Sequence, residues 1–299
     1  MPLALRRRSR LDSNRQQTLA HQNEQRFKAS KMFGLLSKKP LLDEVASQWL
    51  VDAYGWALRH FDAKVFFDES ILVTPTNEHF PGRETSAEGM AALIFDRVQT
   101  YAGVRHWPFQ IVDALNYVPT DTPPRLNAAL LVQRGAHAAN LPAHTAPLII
   151  PYNPHQIGKP ESLIASYAYI LAYYLGTLAK ELPPGGENYW PHATELLGVF
   201  MGFGIMFANT AYTFKGGCGS CYNPLAERAA FLSQDEVTYA LALFCALKRI
   251  PNQTVLPHLK SYLRPAYKRA ISDIQRREKD LTTLRSIHDA GRVIDTTTV

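Results

Sequence analysis

The stretch from Glu161 to Lys180 constrains the fold most strongly, because it contains no charged residue over eighteen consecutive positions. A second stretch, between Glu195 and Lys215, is uncharged over nineteen positions. Both are long enough to cross a membrane, for which about 18 apolar residues are needed. A helix that is apolar on all sides is also typical of the centre of a large soluble domain. The chain is therefore expected to contain either a membrane-embedded helical hairpin or a helical core.

Polar residues inside the two stretches favour the helical core. The first contains Ser162, Ser166, Thr177 and four tyrosines, and the second contains Asn209. Neither stretch is flanked by the asymmetry of Lys and Arg that orients a membrane span. We therefore predict core helices and no membrane association, with a membrane-associated helical hairpin as an alternative.

Charge is distributed unevenly along the 299 residues. Residues 1–40 hold ten Lys/Arg against two Asp/Glu, residues 41–258 hold thirteen against nineteen, and residues 259–299 hold nine against five. The formal charge of +6 therefore comes from the two ends, and the middle is mildly acidic. Because the basic residues form no stripe on a recognisable nucleic-acid-binding motif, no nucleic-acid partner is expected.

The same distribution predicts three segments. Residues 1–31 are expected to be a disordered basic leader, with Met32 as a possible natural start. Residues 32–256 are predicted to form one domain, and residues 257–299 a basic helical tail. The apolar run near the N-terminus is too short for a signal peptide, and there are only three cysteines. These two features predict a reducing, cytoplasmic location.

Cys218 and Cys221 form a C-x-x-C pair inside a glycine-rich stretch. The pair could be half of a zinc site, but a structural zinc site needs four ligands and the sequence offers no second pair. It could be a redox pair, although it does not open a βαβ unit. A tight turn is the favoured interpretation, and a thiol-dependent activity at Cys218 and Cys221 remains a rival.

The remaining patterns predict an α+β fold that is predominantly helical with a small sheet. Residues 41–61 and "SAEGMAALIFDRVQTYAG" read as helices, and Ser233 with Glu236 forms a capping box for a later one. "TELLGVFMGFGIMFANTAYTF" reads as one long helix. "FQIVDAL", "NAALLVQRG" and "APLIIPYN" read as strands, and "KVFFDESILVTP" is also rich in β-forming residues.

Tyr169, Ile170 and Tyr173 occupy positions i, i+1 and i+4 of the first apolar helix. This is the spacing of H-E-x-x-H, in which two histidines bind zinc and the glutamate activates water. The surrounding segments "LVTPTNEHFPGR", "YAGVRHWPF", "PYNPHQIGKPESLIASYAYILAYYL" and "GGCGSCY" resemble a family of uncharacterised bacterial proteins with a zincin-like core of the gluzincin type. Family members read roughly "ASFAHELAHYL" at this helix. The resemblance extends from Met32 to about Arg264.

The resemblance implies a single zincin-like domain whose metal site has degenerated. Tyr169 stands at the first histidine position, Ile170 at the glutamate position and Tyr173 at the second histidine position. Glu195 corresponds to the third, acidic ligand on the next helix. Neutral phenols are poor zinc ligands, and isoleucine provides no general base. The two tyrosines and Ile170 are expected to fill the former cavity and to stabilise the fold by packing.

We therefore predict a catalytically inactive, zincin-like protein that acts as a binding or scaffold module for an unknown protein or peptide, without a cofactor. A metallohydrolase with a relocated zinc site is the alternative enzyme hypothesis. His192 and Glu195 are three residues apart, and His155 lies in the loop before the apolar helix, so these three would supply the ligands.

Overall fold

A computed structural model describes residues 39–115, 134–135, 147–215 and 230–295. The described part is mostly helical with one small sheet, which confirms the predicted α+β class. The predicted leader, most of the predicted strand at 127–135 and the Cys218/Cys221 pair lie outside the described residues. The described helices and strands are α1 (Glu44–His60), α2 (Ala87–Ala102), β1 (Phe109–Asp113), β2 (Leu148–Tyr152), α3 (Pro160–Gly176), α4 (Trp190–Gly198), α5 (Gly204–Lys215), α6 (Gln234–Lys248), α7 (Asn252–Val255), α8 (Arg264–Arg276) and α9 (Glu278–Asp295).

The ends of the helices follow local sequence signals. Asp43 caps α1 by accepting the amide proton of Ala46, and Ser86 caps α2 in the same way from Gly89. The capping box predicted before α6 is confirmed: the Ser233 side chain accepts from the Glu236 amide, and the Glu236 side chain accepts from the Ser233 amide. Such caps satisfy amide groups that have no partner inside the helix.

The two strands form a parallel pair in which Phe109 lies opposite Leu148 and Asp113 lies opposite Tyr152. Both were predicted from their β-forming residues. The second strand packs against α3, where the Tyr174 hydroxyl donates to the Ile149 carbonyl at 3.4 Å. The sheet therefore covers one side of the apolar helix.

Residues 64–75, predicted to be β-rich, do not form a strand. Val65–Glu69 is instead a π-helix, and residues 70–75 have no regular structure. The Lys248 ammonium donates to the carbonyl oxygens of Phe66 and Phe67, each at 2.7 Å. The Phe66 ring stacks on Phe200 at 4.6 Å between centroids. These tertiary contacts override the local β propensity.

The second apolar stretch is not one continuous helix. A π-helix, Val199–Phe203, separates α4 from α5, and Gly202 within it has a φ of 104°. A β-carbon at this position would lie 2.1 Å from the Ile71 carbonyl oxygen, so only glycine allows this approach. The Gly202 carbonyl in turn accepts the Val73 amide at 3.0 Å. The break therefore fastens the 71–73 segment to the helical core.

Within the described residues, one helical stretch, Glu187–Ala211, is long and apolar enough to cross a membrane. Its most apolar window is completely buried inside the protein. The other stretch forms α3, which has 17 residues, twelve of them buried. Both stretches thus contribute to the hydrophobic core, as the core interpretation predicts.

The basic C-terminal residues contribute to the same compact unit, which begins at Leu41. Helix α8 buries Tyr267, Ala270 and Ile274 and packs against α6. Asp273 on α8 accepts the Leu41 amide at 2.7 Å. Residues from the predicted tail therefore help to hold the N-terminal edge of the unit.

Candidate functional site

The predicted vestigial positions lie on the least buried side of α3. Tyr169 and Ile170 are partly buried and pack against the core, while Tyr173 is 50% exposed. The expectation that all three fill a former cavity is therefore wrong for Tyr173. Spacing along a helix shows which residues share a face, but it does not show which face meets the core.

Two other tyrosines of α3 supply the packing. Tyr167 is fully buried, its ring lies edge-on to Phe95 at 5.1 Å, and its hydroxyl donates to the Ala91 carbonyl at 3.4 Å. Burial raises the pKa of Tyr167 far above its ordinary value. The Tyr174 hydroxyl donates a hydrogen bond to the Ile149 carbonyl of β2, as described above. In an all-round apolar helix the four tyrosines look equivalent, so no sequence signal separates these two from Tyr169 and Tyr173.

Glu195 is the acidic position that the resemblance assigns to a third metal ligand. It lies on α4 and is completely buried. Its Oε2 accepts the amide protons of Phe231 at 2.9 Å and Leu232 at 2.6 Å. These residues immediately precede the capped start of α6, so Glu195 fixes the entry to that helix. This oxygen is therefore already used by two backbone donors.

His192 lies one turn before Glu195 in an aromatic environment. Its ring centroid is 5.3 Å from that of Tyr189, 5.9 Å from Phe231 and 6.2 Å from Trp49. We call Trp49, Tyr189, His192 and Phe231 the aromatic cluster. Tyr189 is 40% exposed and Phe231 39% exposed, so the cluster reaches the protein surface. Glu195 holds Phe231 in place through the backbone bond described above.

The residues proposed for the relocated zinc site are poorly arranged to bind a metal ion. His155 is exposed in a single 3-10 turn, Pro154–Gln156, that precedes α3. No group of three or more His, Cys, Asp or Glu that could hold a metal occurs in the described part of the chain. Tyr169, Ile170 and Tyr173 offer no imidazole, and the Glu195 oxygen already accepts two amides. The residues described do not fit zinc at either the inherited or the relocated position.

Cys245 is the one cysteine among the described residues, and it is buried on α6. Burial raises the pKa of its thiol to about 12. A thiol with such a pKa stays protonated near neutral pH and is a poor nucleophile. Cys245 is therefore a packing residue, and the hypothesis of a thiol-dependent activity concerns Cys218 and Cys221 alone.

Two cavities lie away from the vestigial positions, next to α2. The larger has a volume of about 550 Å³ and lies between the first π-helix and the end of α2, where Glu69, Tyr101, Arg105 and His106 line it. The smaller has a volume of about 160 Å³ and lies between the 75–82 loop, α2 and the start of α3. Sequence reasoning assigned no site here. The available signal was the polar run "TNEHF" between Pro75 and Pro81, since such a run marks a structured loop.

The 75–82 loop is held by hydrogen bonds around His79. The Thr74 hydroxyl lies 2.8 Å from His79 Nδ1, and the Tyr101 hydroxyl donates to the His79 carbonyl at 2.8 Å. The rings of His79 and Tyr101 meet edge to face at 5.4 Å. Burial lowers the pKa of His79, the nearby Glu78 raises it to a smaller extent, and His258 lowers it. The imidazole is therefore part of the loop's support.

Two cationic side chains, Arg134 and Lys248, lie close to aromatic rings of the two π-helices. The Arg134 guanidinium lies over the Phe200 ring at 5.3 Å, and Lys248 Nζ lies 5.7 Å from the centre of the Phe66 ring. Burial lowers the pKa of Arg134 to about 10 and that of Lys248 to about 8. Phe66 and Phe200 belong to the two π-helices, so these contacts tie the segments together.

Comparisons with family models, with curated proteins and with solved structures find no match to this chain. The site therefore has to be interpreted from its own residues.

Proposed function

We propose that the chain is a non-catalytic, zincin-like binding protein of the cytoplasm whose partner is a protein or peptide. The observation that carries the proposal is the use made of Glu195. A catalytic carboxylate would need an oxygen open to metal or water. Here Glu195 is completely buried, and its Oε2 accepts two backbone amides and so positions Phe231 beside His192.

The aromatic cluster is the surface we assign to the partner. Aromatic residues are enriched at the centres of protein interfaces, because they bury a large area at a low cost in conformational entropy. Tyr189 and Phe231 each expose about two fifths of their surface on either side of His192. The Trp49 indole donates to the Pro184 carbonyl at 2.8 Å, so the base of the cluster is fixed. A fixed, partly exposed aromatic surface suits an apolar side chain of a partner.

A peptide library displayed on phage tests this proposal. Selection on the wild type should enrich peptides with aromatic or aliphatic residues, and the Tyr189→Ser/Phe231→Ser double variant should bind them at least about tenfold more weakly. The matched control is Val45→Ser/Tyr262→Ser, since these residues are 81% and 55% exposed and lie outside the cluster. The control should bind as the wild type does, and circular dichroism should show that all three proteins are folded.

Two results would contradict the proposal. Equal binding of the selected peptides by the wild type and the cluster variant would remove the cluster from recognition. Cleavage of the selected peptides by the purified wild type, with or without added zinc, would show that the protein is an enzyme.

A further inference from the structure

The residues that line the smaller cavity fall into two chemical groups, which we call its polar wall and its apolar wall. One wall is polar and is contributed by Thr76, Asn77 and Arg97. The other wall is apolar. Its main members are Phe80, Met90, Leu93, Ile94 and Ile164. A ligand that fits both walls must therefore combine a polar head with a hydrocarbon body.

The volume sets the size of that body. The cavity measures about 160 Å³. An apolar cavity of about 150 Å³ is large enough for benzene. The hydrocarbon part of the ligand is therefore a single six-membered ring or a short aliphatic chain.

Arg97 determines the charge of the head group. Its side chain is half-buried, and its Nε is fully buried without a hydrogen-bond acceptor among the described residues. By contrast, the guanidinium groups of Arg105 and Arg277 form ion pairs, Arg105 with Asp96 at 3.5 Å and Arg277 with Asp280 at 3.2 Å. Arg97 is the one cationic side chain among the described residues that line this cavity, and its planar guanidinium fork matches a carboxylate.

The polar wall is also fixed before any ligand binds. Thr76 is held by its contact with Thr74, whose hydroxyl lies 2.9 Å away. Thr74 in turn contacts His79, which Tyr101 anchors to α2. A preformed polar wall reduces the ordering cost of binding.

We propose that this cavity binds a small monocarboxylic acid, with the carboxylate on Arg97 and a ring-sized apolar group against Phe80, Met90 and Ile164. This inference goes beyond the proposed function and rests neither on the zincin-like resemblance nor on the aromatic cluster. The carboxylate can belong to a free metabolite or to the C-terminal residue of a peptide, and the test separates these two sources.

Isothermal titration calorimetry of the full chain with benzoate tests the site directly. The wild type should bind benzoate, and benzyl alcohol, which has the same ring without the charge, should bind at least about tenfold more weakly. Arg97→Met should reduce benzoate affinity by about tenfold or more, because it keeps the length of the side chain and removes the fork. Arg105→Met is the matched control and should bind as the wild type does, since Arg105 lies outside this cavity and is paired with Asp96.

A second variant, Leu93→Phe, tests the same site if Arg97→Met does not fold. Leu93→Phe fills the apolar wall and leaves Arg97 in place, so it too should weaken benzoate binding by about tenfold. N-acetylphenylalanine represents a peptide C-terminus: tighter binding than benzoate assigns the site to chain ends, and weaker binding assigns it to a free acid. The proposal is overturned if the wild type binds neither acid at about 10 mM, or if Arg97→Met and Leu93→Phe both bind as the wild type does.

Discussion

Two regions of the protein use a charged side chain in opposite ways. One is the junction of α4 and α6, and the other is the loop that faces α2. At the junction, Glu195 is completely buried, and its Oε2 accepts two backbone amides. At the loop, Arg97 is half-buried beside a cavity, and its Nε has no acceptor among the described residues. Both residues lie on helices, Glu195 on α4 and Arg97 on α2.

The difference separates structural from functional use of charge. A buried charge whose donors come from the backbone stabilises the position of a loop, and its removal unfolds or loosens that loop. A cationic side chain that lines a cavity, as Arg97 does, can bind an anionic ligand. The aromatic cluster and the smaller cavity beside Arg97 are therefore better candidates for binding than the helix with the H-E-x-x-H spacing.

The largest expected effect is on the structural side of the comparison. Glu195→Ala should lower the free energy of unfolding by about 3 kcal/mol or more, because two buried amides lose their acceptor. Glu195→Gln should cost clearly less, since its amide oxygen can still accept both protons. Urea denaturation followed by circular dichroism measures both values. Equal stability of the wild type and Glu195→Ala would show that Glu195 is not a structural anchor.

Lys248 provides a second structural charge for the same comparison. Lys248→Met should cost about 2 kcal/mol, because the carbonyl oxygens of Phe66 and Phe67 lose a charged donor while the packing of the alkyl chain is kept. The same denaturation experiment measures this loss. Lys260→Met is a suitable control, because Lys260 is exposed, and it should change stability by no more than about 0.5 kcal/mol. A neutral effect of Lys248→Met would contradict the anchoring role of the ammonium.

The loop that faces α2 should respond to pH through His79. Burial lowers the folded-state pKa of His79, so the unfolded chain binds the proton more readily. The contribution of His79 is therefore present above the unfolded pKa of about 6.5 and is lost as the pH falls toward the folded pKa. His79→Asn should remove this contribution, so its stability should fall less between pH 7 and pH 5 than that of the wild type.

Chemical denaturation at several pH values measures this difference. Glu78 and His258 also act on His79, so the comparison is made between variants at each pH and not from the wild type alone. An identical pH dependence of the wild type and His79→Asn would contradict the lowered pKa.

The smallest effect is expected at Tyr173, the exposed vestigial position of α3. Tyr173→Ser should change stability by no more than about 0.5 kcal/mol, because half of the side chain is exposed. Tyr167→Ser, on the same helix, should cost at least about 3 kcal/mol, because this ring is completely buried. Thermal melts of the two variants compare these values, and a large loss at Tyr173 would restore the packing role that the sequence suggested.

The fold class and the ends of several helices could be predicted from the sequence. Caps such as Ser86 and Ser233 are short-range chemistry, so they can be recognised without tertiary information. The π-helix at Val65–Glu69 and the break at Gly202 were missed, since both depend on contacts between segments far apart in the chain. For Gly202, the deciding neighbour is the Ile71 carbonyl.

The candidate site was less accessible to sequence reasoning. Spacing correctly placed Tyr169, Ile170 and Tyr173 on one side of a helix, but burial decides whether such a side is core or surface. Arg97 lies on an ordinary amphipathic helix, and only the three-dimensional arrangement shows that it lines a cavity. The resemblance assigned Glu195 to a metal ligand. In the structure Glu195 accepts backbone amides that lie 36 and 37 residues away, and the sequence alone does not predict such distant partners.

The metal content of the purified wild type tests the central claim most directly, namely that this helical core serves binding and not metal-dependent catalysis. The protein should be prepared without a metal-binding affinity tag and analysed by inductively coupled plasma mass spectrometry. We expect far less than one zinc per chain, because Tyr169 and Tyr173 replace the two imidazoles of the H-E-x-x-H spacing and Ile170 replaces the carboxylate that would activate water. One tightly bound zinc per chain that is lost in His192→Ala or in Glu195→Gln, with both variants still folded, would contradict the account and establish the relocated metal site.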